Sequence, residues 1–241
     1  MRRLAVAPTV WAKPYPHGNK ILAATDTRGA GHAMFLDTDM ICTGPVDLTG
    51  LLHDRAIAVT PEGKPSWGKD LVRWSRVYDQ FDLPLPQDRV TLSRGKRRSF
   101  LPYFNAGMIL FPEGPLDQGQ GFGEMWLHTA LVIDHIAPVA GKRPWLDQIS
   151  LPVTLKRHGP DYVLAPEAMN FSVSLRAPLG DEAPCLMHYH RFGFLADWPR
   201  FQHAALDQTR AFAGDVLFGQ LRDAYGRFWH NQPALSELAA E

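Results

Sequence analysis

The stretch Ala33-Met34-Phe35-Leu36-Asp37-Thr38-Asp39-Met40-Ile41 limits the folds open to this chain more than any other. Its apolar run reads as a buried strand that ends abruptly in two carboxylates one residue apart, with a turn-like Thr43-Gly44-Pro45 beyond. Such a strand belongs in an α/β sheet, where ligands sit outside the carboxyl ends of the strands. Asp37 and Asp39 repel each other there unless a cation lies between them, and hard oxygen ligands suit Mg²⁺ or Mn²⁺. The chemistry that most needs such a cation is the handling of a diphosphate. A lone D-x-D is a weak motif, equally the mark of a strand end followed by an Asp that caps a turn.

The rest of the chain is read for a matching sheet. A length of 241 residues suits one α/β domain, with or without a C-terminal elaboration. Lys plus Arg total 25 and Asp plus Glu total 25, so no global field points to nucleic acid or an anionic membrane. Cys42 and Cys185 lie far apart without metal-ligand spacing, and a disulfide between them stays open. No apolar stretch is long enough to cross a bilayer. Met1-Arg2-Arg3 before Leu4 to Ala7 has a faint leader character that Pro8 interrupts, so a cytoplasmic protein is expected.

Leu4 to Ala7 reads as a short strand, Asn19 as the cap of a helix through Thr25, Val46 to Leu52 as a turn of helix, and Ala56 to Thr60 as a strand. With the Asp37 strand the order is strand, helix, strand, helix, strand, as α/β proteins require. A helix is predicted over 66–81, where Leu71, Trp74, Val77, Tyr78 and Phe81 form a core stripe rather than a sugar-stacking platform. The run 82–100 is Pro-rich, then basic at Arg94, Lys96, Arg97 and Arg98, and reads as a solvated loop rather than a phosphate-facing one.

Met108 to Phe111 reads as a buried strand ended by Pro112. Asn105 and Gly107 interrupt its entrance, either as a bulge or where amides approach a ligand. A helix follows over 122–136. Trp145-Leu146-Asp147-Gln148 opens a short one over 149–155, with Asp147 its N-terminal cap in the simplest reading. Leu186-Met187-His188-Tyr189-His190 reads as a strand whose two histidines share one face. An imidazole beside two carboxylates completes a Mn²⁺ site. Residues 204–229 read as a helix with Leu217, Leu221, Tyr225 and Phe228 on one stripe.

Four of these segments fall in a meaningful order: Phe35-Leu36-Asp37-Thr38-Asp39, Tyr103-Phe104-Asn105-Ala106-Gly107, Leu146-Asp147-Gln148, and His190-Arg191-Phe192-Gly193-Phe194-Leu195-Ala196-Asp197-Trp198. In this the chain resembles glycosyltransferase family 8 and its GT-A-fold relatives, which use nucleotide-sugar donors. The last segment keeps the His, Gly and Trp of the family's His-x-x-Gly-x-x-Lys-Pro-Trp motif. Pro166 to Asn170 looks like the segment that precedes it. The resemblance spans residues 19–200 and is carried jointly by four ordered motifs.

It implies a GT-A-like (Rossmann-like) mixed sheet flanked by helices over residues 1–200, with 201–241 a helical extension packed on the same domain. It implies transfer of a hexose from a nucleotide-diphosphate sugar, most commonly a UDP-sugar, to a hydroxyl of a sugar, lipid or protein acceptor. Asp37 and Asp39 would bind Mn²⁺ or Mg²⁺ with His190 as third ligand, and His188 as the alternative. Asn105, Ala106, Gly107, Gly193 and Lys20 would bind the donor. Asp147 and Gln148 would lie at the transferred sugar, Asp147 on its hydroxyls and Gln148 close to the reacting carbon.

Two departures bear on activity. The family's diphosphate-assisting Lys is Ala196 here and its Pro is Asp197. Only 36 residues precede Asp37, and one βαβ unit takes about 30 or more, so the first nucleotide-binding strand and its base-binding turn are expected to be missing. Two other readings stand beside the transferase. One is a non-catalytic GT-A-like binding or scaffold domain. The other is a haloacid-dehalogenase-like phosphatase, whose later acidic motif Gly214-Asp215-Val216-Leu217-Phe218-Gly219 supplies only in part.

Overall fold

In chain order the elements are α1 (Asn19–Ala24), β1 (His32–Leu36), β2 (Met40–Cys42), β3 (Ala56–Pro61), α2 (Leu71–Asp79), β4 (Val90–Thr91), β5 (Ser99–Phe100), β6 (Phe104–Pro112), α3 (Phe122–His135), α4 (Leu146–His158), β7 (Asp161–Leu164), β8 (Phe171–Ser172), β9 (Leu186–His188) and α5 (Pro199–Tyr225). They come from a computed structural model that describes residues 10–226 apart from 95, 137, 179 and 182. The strand expected at Leu4 to Ala7, and Phe228 of the C-terminal stripe, lie outside the described residues. Chain contacts divide the protein into two units, one formed by residues up to Asp37 and Leu48–Glu167, the other by Thr38–Asp47 and the residues from Ala168 on.

The first unit is organised by β6, whose residues are buried along its whole length. A strand covered on both faces reads as a nearly unbroken apolar run, which Met108-Ile109-Leu110-Phe111 supplies. The sheet order is β1-β6-β3-β7, with β6 antiparallel to both neighbours and β3 parallel to β7. The sheet is therefore mixed, as expected. α4 packs against β6, and α3 packs against α4 and α1. Trp126, Met125 and Ile133 of α3 and Leu146 and Ile149 of α4 join Ile57, Val59 and Ile109 of the sheet in one apolar core.

Several elements differ from the sequence reading. Among the described residues β1 pairs with β6 alone, so it is an edge strand there, buried at Ala33 and half-buried elsewhere. Asn19 is the first residue of α1 rather than its cap; Gly18 takes the cap position. Residues 46–52 form no helix; they hold a turn at 49–51. The 66–81 helix is confined to α2 because Asp70 caps it, its carboxylate accepting from the N–H groups of Val72 and Arg73. Its Trp74, Val77 and Tyr78 are buried as expected, whereas Leu71 is exposed. Lys96, Arg97 and Arg98 are exposed at the β4–β5 hairpin.

α4 is longer than expected, starting at Leu146 and ending at Gly159 in the left-handed region, whose N–H closes on Leu155 O at 2.9 Å. Pro152 lies inside it and offers no N–H to the carbonyl of Gln148 one turn earlier.

In the second unit, β2-β9-β8 form a three-stranded sheet, with β2 antiparallel and β8 parallel to β9. Met187, Phe171, Val173, Leu195, Trp198 and Phe201 make a separate small core. α5 begins at Pro199 and is interrupted at Gly214, whose φ of 76° is left-handed. Asp215 pairs with exposed Arg210 at 2.7 Å, so the partial acidic motif sits on a helix surface. Both cysteines are free thiols. Among the described residues no helix is long and apolar enough to cross a membrane.

Candidate functional site

In the first unit, Asp37 follows β1 directly, and its N–H donates to Gly107 O at 2.9 Å. This contact continues the β1–β6 ladder beyond Leu36 and Met108, while on its other side β6 bulges. β3 pairs Val59 with Ile109 and then Thr60 with Asn105, so residues 106–108 leave the β3 ladder. The freed Ala106 carbonyl accepts from Lys20 Nζ at 3.3 Å. The bulge entertained for Asn105 to Gly107 is thus real, and it supplies backbone oxygens.

Lys20 is 8% exposed and lies between two acids, 2.8 Å from Asp37 Oδ2 and 3.0 Å from Asp147 Oδ2. Burial works against its ammonium, but Asp147 and Asp37 outweigh that and hold its pKa above the ordinary lysine value. Asp147 is no cap. It is buried in the first turn of α4, with Oδ1 accepting from Tyr15 Oη at 2.9 Å. Tyr15 is placed in turn by Arg143, whose guanidinium lies over its ring, donates to the carbonyls of Lys13 and Pro14, and grips Asp134 with two nitrogen–oxygen contacts of 2.7 and 2.8 Å. Burial and the nearby Asp147 push the Tyr15 hydroxyl well above its usual pKa, so it stays a donor.

A second network joins Gln148 to Asn105 through Glu62, a residue without any local sequence signal. Glu62 Oε2 accepts from Asn105 Nδ2 at 2.9 Å and from Gln148 Nε2 at 3.0 Å. Asn105 Oδ1 accepts from Gly107 N–H at 2.9 Å, pinning the bulge. Gln148 Oε1 accepts from Tyr103 Oη at 2.8 Å and Ser66 Oγ at 3.3 Å. The half-buried Gln148 carboxamide is thereby held in one orientation.

The second unit carries Asp39, His188 and His190. His188 ends β9 and is buried; its Nε2 lies 3.4 Å from Asp39 Oδ1, and its Nδ1 lies 3.0 Å from Asn170 Oδ1. An acceptor at Nδ1 places the proton of a neutral imidazole there and leaves the Nε2 lone pair facing a carboxylate. Two electron-rich atoms so placed call for a proton or a metal ion between them. Burial opposes the charge on Asp39, but His188 and then His190 outweigh it and hold the carboxyl below the usual range.

His190 lies beyond the strand with φ 58°, so the parity argument lapses at His188. It stacks on the His188 ring with centroids 3.8 Å apart, and its Nδ1 meets Ser174 Oγ at 2.7 Å. Asp39 and His188 thus pair within the second unit as potential metal ligands, and Asp37 precedes Asp39 by two residues in the sequence. Gly193 is exposed in a short 3₁₀ turn over Phe192–Asp197, where an added Cβ would meet nothing within 4 Å.

The chain belongs to the family described as the Rhodobacterales glycosyltransferase domain, which matches residues 2–159. Among solved structures it is similar to mouse xyloside xylosyltransferase 1, with 14% identity over 72% of this chain, 62% of that chain and a TM-score of 0.41. It is also similar to the galactosyltransferase LgtC in complex with donor and acceptor sugar analogs, with 16% identity over 81% of this chain, 69% of that one and a TM-score of 0.44. The chain thus spans under two thirds of the xylosyltransferase structure. No curated protein matches it.

Proposed function

We propose that the chain is a metal-dependent GT-A-type glycosyltransferase that transfers a hexose from a nucleotide-diphosphate sugar, a UDP-sugar first among candidates, to an acceptor hydroxyl. The observation that carries this reading is the approach of His188 Nε2 to Asp39 Oδ1, 3.4 Å apart, in the Asp37-Thr38-Asp39 run. The donor set fits Mn²⁺ or Mg²⁺: two carboxylates give hard oxygens, and Asn170 holds His188 with Nε2 turned toward Asp39. The metal, when bound, acts as a Lewis acid that stabilises charge growing on the leaving diphosphate.

The other groups bind and orient. Lys20 keeps Asp37 in place and adds fixed positive charge beside it. Asp147 keeps Lys20 charged and positioned. Gln148, clamped by Glu62, Tyr103 and Ser66, presents a preorganised dipole to the oxocarbenium-like sugar. Asn105, Ala106 and Gly107 line the donor, and His190 braces the ring of His188.

Calorimetric titration of UDP with Mn²⁺, and then with chelator, tests the reading. Metal-dependent binding that disappears in Asp37→Ala and Asp39→Ala is expected. A well-folded chain that binds neither UDP nor other nucleoside diphosphates in any divalent metal would favour the scaffold reading instead.

A further inference from the structure

The cations of the first unit are unevenly placed. Residues 63–69 and 90–100 carry Lys64, Lys69, Arg94, Lys96, Arg97 and Arg98 and no acid, in a chain whose formal net charge is zero. Lys64, Lys69, Lys96, Arg97 and Arg98 are exposed and have no ion-pair partner among the described residues. The neighbouring acids are engaged elsewhere. Asp70 caps α2, Asp88 accepts from Tyr162 Oη at 2.8 Å, and Glu62 holds Asn105 and Gln148. A surface so unbalanced attracts anions over roughly a Debye length, about 10 Å at ordinary salt.

Main-chain bonds tie this patch to the candidate site. Ser93 N–H donates to Glu62 O and Arg94 N–H to Gly63 O, each at 3.1 Å. The Arg94 side chain passes where Gly63 has no Cβ; an added one would lie 2.8 Å from Arg94 Cδ. Gln148 Nε2 donates to Glu62 at 3.0 Å, and Ser66, two residues after Lys64, donates to Gln148 Oε1 at 3.3 Å. The cations thus border the carboxamide assigned to the reacting carbon.

Lys96 and Arg97 have φ of 70° and 44°, left-handed backbone that Gly or Asn adopts at less cost. The hairpin carries long basic side chains there despite that cost. Its apolar residues offer no second anchor: Val90 and Leu92 are buried, and Phe100 packs edge-on against Trp74 and Tyr103. A lipid-inserting or base-stacking surface would expose such groups. What remains is recognition of oxyanions, and guanidinium groups suit phosphate best. We propose, resting on the transferase reading, that the acceptor is a sugar bearing clustered phosphate groups, which Lys64, Lys96, Arg97 and Arg98 hold while its hydroxyl lies at Gln148.

The test uses the full chain with inositol hexakisphosphate as probe, sucrose octasulfate to tell phosphate from sulfate, and myo-inositol as the neutral control. Calorimetry in metal-free buffer should show saturable binding of the hexakisphosphate, weaker binding of the octasulfate and none of myo-inositol. Affinity should fall as salt rises. Lys96→Asn, Arg97→Asn and Arg98→Gln together remove three charges and suit the left-handed turn. This variant should bind the hexakisphosphate about ten- to hundredfold more weakly, the yield of three exposed charge pairs, without a lower melting temperature. Its binding of UDP with Mn²⁺ should be unchanged. In amide NMR spectra the hexakisphosphate should shift the Gln148 carboxamide as well as Lys64 and Arg98. No saturable binding, binding that survives the triple variant, or tighter binding of the octasulfate would each overturn the proposal. Shifts confined to the hairpin would do so too, marking a patch for lipid headgroups or an extended polyanion. Hexakisphosphate binding by a chain that binds no UDP would overturn the transferase reading and the acceptor role with it, whereas UDP binding without hexakisphosphate binding overturns this proposal alone.

Discussion

Replacing Lys20 by Met removes one cation and leaves two acids behind, with little change in side-chain volume. Each contact is close, 2.8 Å to Asp37 and 3.0 Å to Asp147, and each amounts to roughly 6 kcal/mol of gross attraction at an effective dielectric of about 20. The net effect is smaller, because burying the ammonium already costs several kcal/mol. Asp37, with a side chain 20% exposed, recovers water after the substitution; Asp147, at 6%, does not. Loss thus falls mainly on Asp147, and the usual cost of orphaning a buried charge, about 3–5 kcal/mol, applies. At about 2–4 °C per kcal/mol for a chain of this size, the melting temperature should fall by about 6–20 °C at pH 7.

The pH dependence separates this account from simple loss of packing. Lys20 has a raised folded pKa, so its contribution is fully present below the unfolded lysine value and lost only as pH rises through the folded one. At pH 7 it is intact. In Lys20→Met, acidification toward pH 4 lets one of the two carboxylates take a proton, so the gap to wild type should narrow steadily. Thermal unfolding by circular dichroism from pH 4 to 8 measures both quantities. A loss below about 1 kcal/mol, or a gap independent of pH, would refute the claim that Lys20 neutralises these acids.

Four further outcomes are expected. Asn170→Ala releases His188 Nδ1 and should weaken Mn²⁺ binding by about 10–100-fold while leaving the far-ultraviolet spectrum unchanged. His188→Ala should abolish Mn²⁺ binding, whereas His190→Ala should only weaken it; metal titration of both variants checks the order. Gly123→Ala places a Cβ 2.0 Å from Ala24 O, so α3 must move off α1, at a cost of about 1–3 kcal/mol in urea unfolding. Tyr162 is pushed up to about 12 by burial and by its bond to Asp88, so stability should fall as pH rises between about 10 and 12, and Tyr162→Phe should flatten that limb in alkaline unfolding curves.

The parts of the fold that were legible in the sequence are those with local pattern. The apolar run before Asp37 and the amphipathic period of α3 each show within about a dozen residues. The parts that were not legible depend on partners far along the chain. Glu62 meets Gln148 across 86 residues and Tyr15 meets Asp147 across 132, and neither Glu62 nor Tyr15 stands in any recognisable motif. Asp147 reads most simply as a cap because acids are common in first turns, and its contact with Lys20 is one that only the tertiary structure brings about. The two histidines illustrate the limit of parity. Alternation predicts a shared face only while the strand continues, and the left-handed turn at His190 ends it.

The bulge in β6 has a consequence for how this protein tolerates change. Ala106 and Gly107 serve Lys20 and Asp37 through main-chain oxygens, which every amino acid carries. Substitution at 106 by another small residue leaves those contacts intact, whereas removing one residue from 106–107 takes away an oxygen while β1 keeps its pairing with Met108 to Pro112. This segment is therefore held by its length rather than its letters: natural variants can exchange small side chains here, but none should gain or lose a residue without losing the anchor of Asp37.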